Sequence, residues 1–280
     1  MSKEVGFEVR GAVAWVTLNR PECSNAQNVA MLRALDDAFG QAMADDSVKV
    51  IVLRGAGKHF SAGHDIGTAG RDIDQPFEPV ATLRYPHAGK PGAEDAYIRE
   101  ADAYLGLCRR WRDMPKPTIA MVHGACIAGG LMLAWAMDLI IASEDAYFSD
   151  PVVRMGIPGV EYFAHPHVMG PRRAKEFLFC GGKMGAAEAQ QIGMINRVVP
   201  TDELEAQTTQ LAERIAKMPR FGLALTKQAI NQAEDRMGLR DSMDATYGLH
   251  HLAHAHNALS SEDYIGGESV ASMKKGLEDG

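Results

Sequence analysis

The sequence is poor in most features that announce a chemistry. Its four cysteines, Cys23, Cys108, Cys126 and Cys180, form no CxxC pair and show no zinc-like spacing. That argues against a cysteine-built metal centre and predicts reduced thiols rather than a disulfide frame. The opening MSKEVGFEVR has no apolar stretch of the signal-peptide kind. The longest apolar run falls short of the roughly 20 residues that cross a bilayer. No membrane association is expected, and the reading is a cytoplasmic protein. Basic residues are outnumbered, 29 Lys and Arg against 36 Asp and Glu, for a net charge of −7. That argues against nucleic acid as a partner, since phosphate backbones need a basic face. One local exception, RRWRDMPKP, holds Arg109, Arg110, Arg112 and Lys116. It could meet an anion, against the blander reading of a solvated helix end.

Familiar catalytic motifs are missing too. GAGKHF lacks the full GxxxxGK[ST] pattern, and no GxGxxG follows the first strand. HFSAG carries His59 where a GxSxG elbow needs glycine, so Ser61 is a poor nucleophile candidate. HHLAHAH places His250 and His254 at i, i+4, on one helix face, with His251 and His256 close by. With no HExxH and no nearby cysteine, a packed or interface helix is read there and no metal is expected. HPH at 165–167 reads as a polar turn before a helix starting near Val168, with a metal or general-base role as the alternative.

What is present is a core. Hydrophobic residues make up 46% of the chain. Residues 12–18 and 48–55 read as strands, the second buried on both faces. Between them Met31, Leu35, Ala38, Phe39, Ala42 and Met43 recur at helical spacing. Residues 67–94, with Tyr85 and His87, read as a long loop. A helix over roughly 94–113 follows, then a strand at 118–124 and a glycine-led helix. Strands at 138–143 and 146–149, helices at 168–180 and 185–193, and a strand at 194–200 complete this part. From Asp202, a plausible N-cap, the chain is almost all helix. One boundary is drawn, near residue 201: 1–200 forms a core with the site, and 201–280 a helical region.

Two glycine-containing turns remain, FSAGHDI at 60–66 and HGACIAGG at 123–130. Each follows a predicted strand and could aim a backbone N–H at one shared point. Two converging donors make an oxyanion hole, and a helix start adds partial positive charge. The alternative is that the glycines merely allow tight packing.

These turns do not stand alone. LNRPECSNAQN at 18–28, HFSAGHDI, KPTIAMVHGACIAGG, DLIIASEDAYFSDPVVRMGIPG and FLFCGGKMGAAEAQQIGMINRVVP together resemble the enoyl-CoA hydratase/isomerase (crotonase) superfamily over roughly residues 6–235. The resemblance implies an α/β fold, a crotonase-like spiral of repeated ββα turns with a C-terminal helical trimerisation region. It implies a homotrimer or a dimer of trimers, and an acyl-CoA thioester as substrate. Coenzyme A then enters as part of the substrate, with no separate cofactor. The oxyanion donors would be the backbone N–H groups of His64 and Gly129. Ala26, Ala62, Asp65 and Ile66 fall in segments that line the CoA pocket of relatives.

The pattern breaks where the chemistry should be. Hydratases of this superfamily use two glutamates, and the matching positions here hold Met132 and Val152. Neither side chain can move a proton. Some isomerase branches carry an acid at the position of Gly159, and Glu161 stands two residues on. Glu161 is the candidate acid/base, with Tyr162 and His165 as rebuilt pocket wall and Asp150 as another acid nearby. Met132, Val152 and Tyr162 are expected to contact substrate. Isomerase, C–C lyase or hydrolase chemistry is favoured. A variant hydratase using Glu161 or Asp150, and a non-catalytic acyl-CoA binder, stay open. Asp138 is read as structural.

Overall fold

Period-two alternation in continuous apolar strands sets the architecture. In β2 (Val13–Leu18), Ala14, Val16 and Leu18 enter one core cluster, whereas Val13 and Trp15 enter another. In β3 (Val50–Gly55), Ile51 and Leu53 face the first cluster and Val50 and Val52 the second. A strand apolar on both sides must be covered on both sides, which is the signature of a parallel sheet. The computed structural model describes residues 3–68, 87, 89–261, 264–268 and 272.

The sheet has six strands in the order β1-β2-β3-β4-β6-β9. It includes β1 (Val5–Arg10), β4 (Thr118–Val122), β6 (Leu139–Ser143) and β9 (Arg197–Val199). Only the β1–β2 pair is antiparallel. A smaller sheet joins β5 (Ala125–Ile127), β7 (Tyr147–Ser149) and β8 (Met184–Gly185). Sequence patterning found neither β1, β5 nor β8, which are short or half-exposed.

On one face α1 (Val29–Ala44) buries Met31, Leu32, Leu35, Ala38, Phe39 and Ala42. Its Asn28 cap accepts from the Met31 N–H at 2.8 Å. The predicted helix at 94–113 is α2 (Glu94–Glu100), a π-helical stretch at Ala101–Gly106, and α3 (Leu107–Arg112). The glycine-led helix is α4 (Gly129–Trp135). The helix read at 168–180 is instead two, α5 (His165–Met169) and α6 (Pro171–Cys180), parted by Gly170 at φ 74°. α7 (Ala186–Gln191) follows.

Asp202 does not cap a helix. It sits in a 3-10 turn ahead of α8 (Leu204–Ala216), whose cap position is Glu203. Leu204, Ala212 and Ala216 of α8 cover the second face of the sheet, so the 201 boundary does not separate two cores. α9 (Arg220–Arg236) and α10 (Leu239–Ser261) complete the described elements. Asp138 is structural as expected: its Oδ2 accepts from Thr118 N–H at 2.8 Å and meets Lys227 Nζ at 2.9 Å. The basic run is spent internally, Arg109 on Asp244, Arg110 on Asp36, Arg112 on Glu234, and Lys116 on the carbonyls of Ala42 and Asp45. No helix among the described residues is long and apolar enough to cross a membrane.

Candidate active site

The two glycine turns meet. Ser61 N–H donates to Ala125 O at 3.1 Å, and Ile127 N–H returns to Ser61 O at 3.0 Å. On its other side the 60–66 turn pairs with Gln27, through Gln27 N–H to Gly63 O and Asp65 N–H to Gln27 O. A Cβ on Gly63, at φ +95°, would stand 3.1 Å from Gly129 N, and one on Gly130 would stand 2.6 Å from Ser61 O. The glycines therefore permit close contact between two backbones. Ala128 reaches φ +47° just before α4, a costly value for a residue with a Cβ. Ser61 is fully buried and donates to Asn25 O at 2.9 Å, so it serves the turn and is no nucleophile.

Beside the turns lies a cavity of about 640 Å³. Ala26, Ala62, His64, Asp65, Ile66, Val152 and Glu161 line it. Met132 and Tyr162 do not. Both belong to the hydrophobic core, because α4 turns Met132 inward and the 157–165 loop does the same to Tyr162. Burial pushes the Tyr162 hydroxyl up, away from any acid role near neutral pH. His165 and Asp150 are fully buried against each other at 2.9 Å, outside the cavity wall. Asp150 also accepts from Val160 N–H at 3.1 Å. It holds the loop that carries Glu161. His87 is buried, 3.9 Å from Asp95, and Tyr85 lies outside the described residues.

The wall also has residues that sequence reasoning missed. Glu100 comes from α2, Tyr104 from the π-helical stretch, His250 and His254 from α10, and Tyr264 from beyond it. The cavity thus draws on α10 and the residues just beyond it as well as on 1–200. His64 stacks on Tyr104 with ring centroids 3.8 Å apart, and its ring packs against Gly129. Glu161 bridges two imidazoles, with Oε2 3.5 Å from His64 Nε2 and Oε1 3.5 Å from His250 Nε2. The i, i+4 histidines were the only signal of this wall in the sequence.

Comparison with known proteins settles the kinship. The enoyl-CoA hydratase/isomerase family model matches residues 8–84 and 86–265. The chain belongs to the enoyl-CoA hydratase/isomerase family. A Mycobacterium tuberculosis protein named as an enoyl-CoA hydratase, EchA13, is 44% identical over 96% of this chain and 85% of its own. An Escherichia coli 1,2-epoxyphenylacetyl-CoA isomerase is 35% identical over 81% of each chain. A Mycobacterium smegmatis structure described as an enoyl-CoA hydratase superposes with a TM-score of 0.84 at 45% identity, covering 93% of this chain and 98% of that one. This member of the family has the crotonase fold.

Charge in this family member's cavity is tightly balanced. Burial opposes ionisation of Glu161, but His250 and His64 outweigh it and hold the carboxyl below its usual range. Burial likewise opposes a charged His250, but Glu161 and Glu100 outweigh it and push its pKa up to about 9. Folding therefore tightens the hold on that proton. The contribution to stability is complete below pH 6.5, the ordinary histidine value, and is lost as pH rises through about 9. Urea denaturation should show a pH-dependent loss on the order of 3 kcal/mol across this window. In His250→Asn that part of the loss should disappear; a slope unchanged by the substitution would assign the proton elsewhere.

Proposed function

We propose that the protein is an acyl-CoA isomerase or C–C lyase rather than an ordinary hydratase. The observation that carries this reading is Glu161, a buried carboxylate on the cavity wall whose Oε2 lies 3.5 Å from His64 Nε2. The backbone N–H groups of His64 and Gly129 would receive the thioester oxygen as it gains enolate charge. One such donor is worth on the order of 3 kcal/mol in the transition state. Glu161, charged at neutral pH, would take the proton next to the thioester carbonyl. Isomerisation needs no second glutamate, because the same carboxylate can return the proton further along the acyl chain. Hydration must also place and split a water, and Met132 and Val152 stand where the two hydratase glutamates would be.

Two relatives with isomerase names fit this reading, the Escherichia coli enzyme and a Mycobacterium smegmatis monofunctional enoyl CoA isomerase with a TM-score of 0.63 and 29% identity. Ala26, Ala62, Asp65 and Ile66 would contact the CoA part. Arg20 Nη1 fixes Asp65 at 2.9 Å and Ala26 O at 2.6 Å, so these two positions move together. Phe221 and Ile230 of α9, Met237 between the helices, and Leu249, Leu252 and Leu259 of α10 are exposed. A homotrimer or a dimer of trimers would cover them.

Purified protein mixed with a panel of 2-enoyl, 3-enoyl and bulky acyl-CoA esters tests the reading, with products resolved by chromatography and mass. The expected products are a shifted double bond at unchanged mass, or cleavage fragments. Rapid addition of water to crotonyl-CoA would overturn it in favour of a hydratase. Tight ester binding without any product across the panel would make the protein a binder.

A further inference from the structure

The cavity wall holds more donor atoms than a one-carboxylate reaction uses. Glu100, His250 and His254 are all buried, and one ligand atom from each lies within 4.8 Å of the others. His250 Nε2 is 3.0 Å from His254 Nε2 and 3.7 Å from Glu100 Oε2. We propose that Glu100, His250 and His254 bind a divalent transition-metal ion, of the zinc class, on the cavity wall beside the 60–66 turn.

The ring orientations carry the argument. His250 Nδ1 lies 2.8 Å from Gly159 O, and His254 Nδ1 lies 2.8 Å from Tyr264 O. A carbonyl oxygen only accepts, so each Nδ1 must carry the proton. The two Nε2 atoms face each other at 3.0 Å, a spacing that needs one shared proton or, in its place, a metal ion. Without that proton the two facing lone pairs would repel, so the pair is built to hold a cation, and Glu100 beside it offers a third ligand. A ring that donates its far nitrogen to a backbone carbonyl is also how metal-bound histidines are usually oriented.

Glu100 is poised in the same way. Tyr264 Oη donates to its Oε1 at 3.1 Å. Oε2 is buried and makes no hydrogen bond among the described residues, although it faces the histidines. His251 Nε2 stands 3.2 Å from that oxygen and is likewise without a hydrogen bond among them. A tetrahedral ion with bonds near 2.1 Å sets its ligand atoms about 3.4 Å apart. The observed 3.0 and 3.7 Å straddle that spacing. The charge fits as well: Glu100 and Glu161 are two buried carboxylates that pair with no Lys or Arg among the described residues. Two imidazoles and one carboxylate suit zinc, iron(II) or cobalt(II) better than calcium or magnesium.

Three protein ligands would leave a fourth position open toward the cavity, the arrangement of a site that holds water or a substrate oxygen. Nothing in this requires the substrate to be an acyl-CoA.

The test uses full-length protein dialysed against chelator and titrated with Co²⁺ alone. Ligand-field absorption should saturate at one ion per chain and be displaced by Zn²⁺. Binding should release the proton held by His250, so the calorimetric heat should vary with the ionisation enthalpy of the buffer. His254→Ala and Glu100→Gln should each weaken binding at least tenfold, with circular dichroism confirming the fold. Absence of saturable binding by the wild-type chain would overturn the site. So would binding unchanged in both variants; a shared proton would then be what the two Nε2 atoms hold.

Discussion

Glu161→Gln should lower kcat by about 10²–10⁴-fold, the usual worth of a general acid/base. KM should change little, because the amide keeps the volume and the position of the carboxylate. The reason for so large an effect is the surrounding charge. Glu161 is 5% exposed, and imidazoles of His64 and His250 flank its two oxygens. They hold it ionised, so the acidic limb of kcat/KM should fall below pH 4.5, the ordinary glutamate value. A limb near neutrality would contradict this assignment, and full activity in the Gln variant would remove Glu161 from the reaction. The same substitution takes one negative charge from His250, so the alkaline stability loss should move to lower pH.

Asp150→Ala should cost about 1–3 kcal/mol of stability, the penalty for leaving a buried polar group without its partner. Asp150 and His165 are both fully buried, with Oδ2 2.9 Å from Nε2. Alanine would strand both the imidazole and the Val160 N–H that Asp150 now receives. His165→Leu in the same chain should restore part of the loss, because an apolar pair leaves fewer stranded groups. Urea unfolding of the four proteins of the cycle measures this. Additive effects would mean that the two side chains do not act as a pair. Because Val160 precedes Glu161, the loss should reach catalysis through position rather than chemistry.

Asp150 also shows where sequence proximity misleads. It sits two residues from Val152, close to where an acid was sought, yet its carboxylate turns toward His165 and away from the cavity. Met132 and Tyr162 went the same way, into the core. Ala26, Ala62, His64, Asp65, Ile66, Val152 and Glu161 did reach the wall. The difference lies in the backbone. Most of these seven residues follow strand ends or tight turns whose pairing is fixed locally, whereas a side chain on a short helix or an irregular loop faces wherever its neighbours leave room.

The sequence by itself determined most of the strands and helices in their order, all but the short or half-exposed β1, β5 and β8 and the break between α5 and α6, because continuous apolar runs and 3.6-residue spacing are local properties. It also determined the two glycine turns and the family to which they belong. It put His250 and His254 on one face of a helix, since i, i+4 spacing needs no partner to take effect. Only the tertiary structure decided what that face meets. Glu100 reaches His250 and His254 because α2 and α10 close over one cavity, and that packing depends on burial between segments far apart in the chain. No local pattern around Glu100 records it. A carboxylate in a helix reads as solvent-facing until the fold takes its water away.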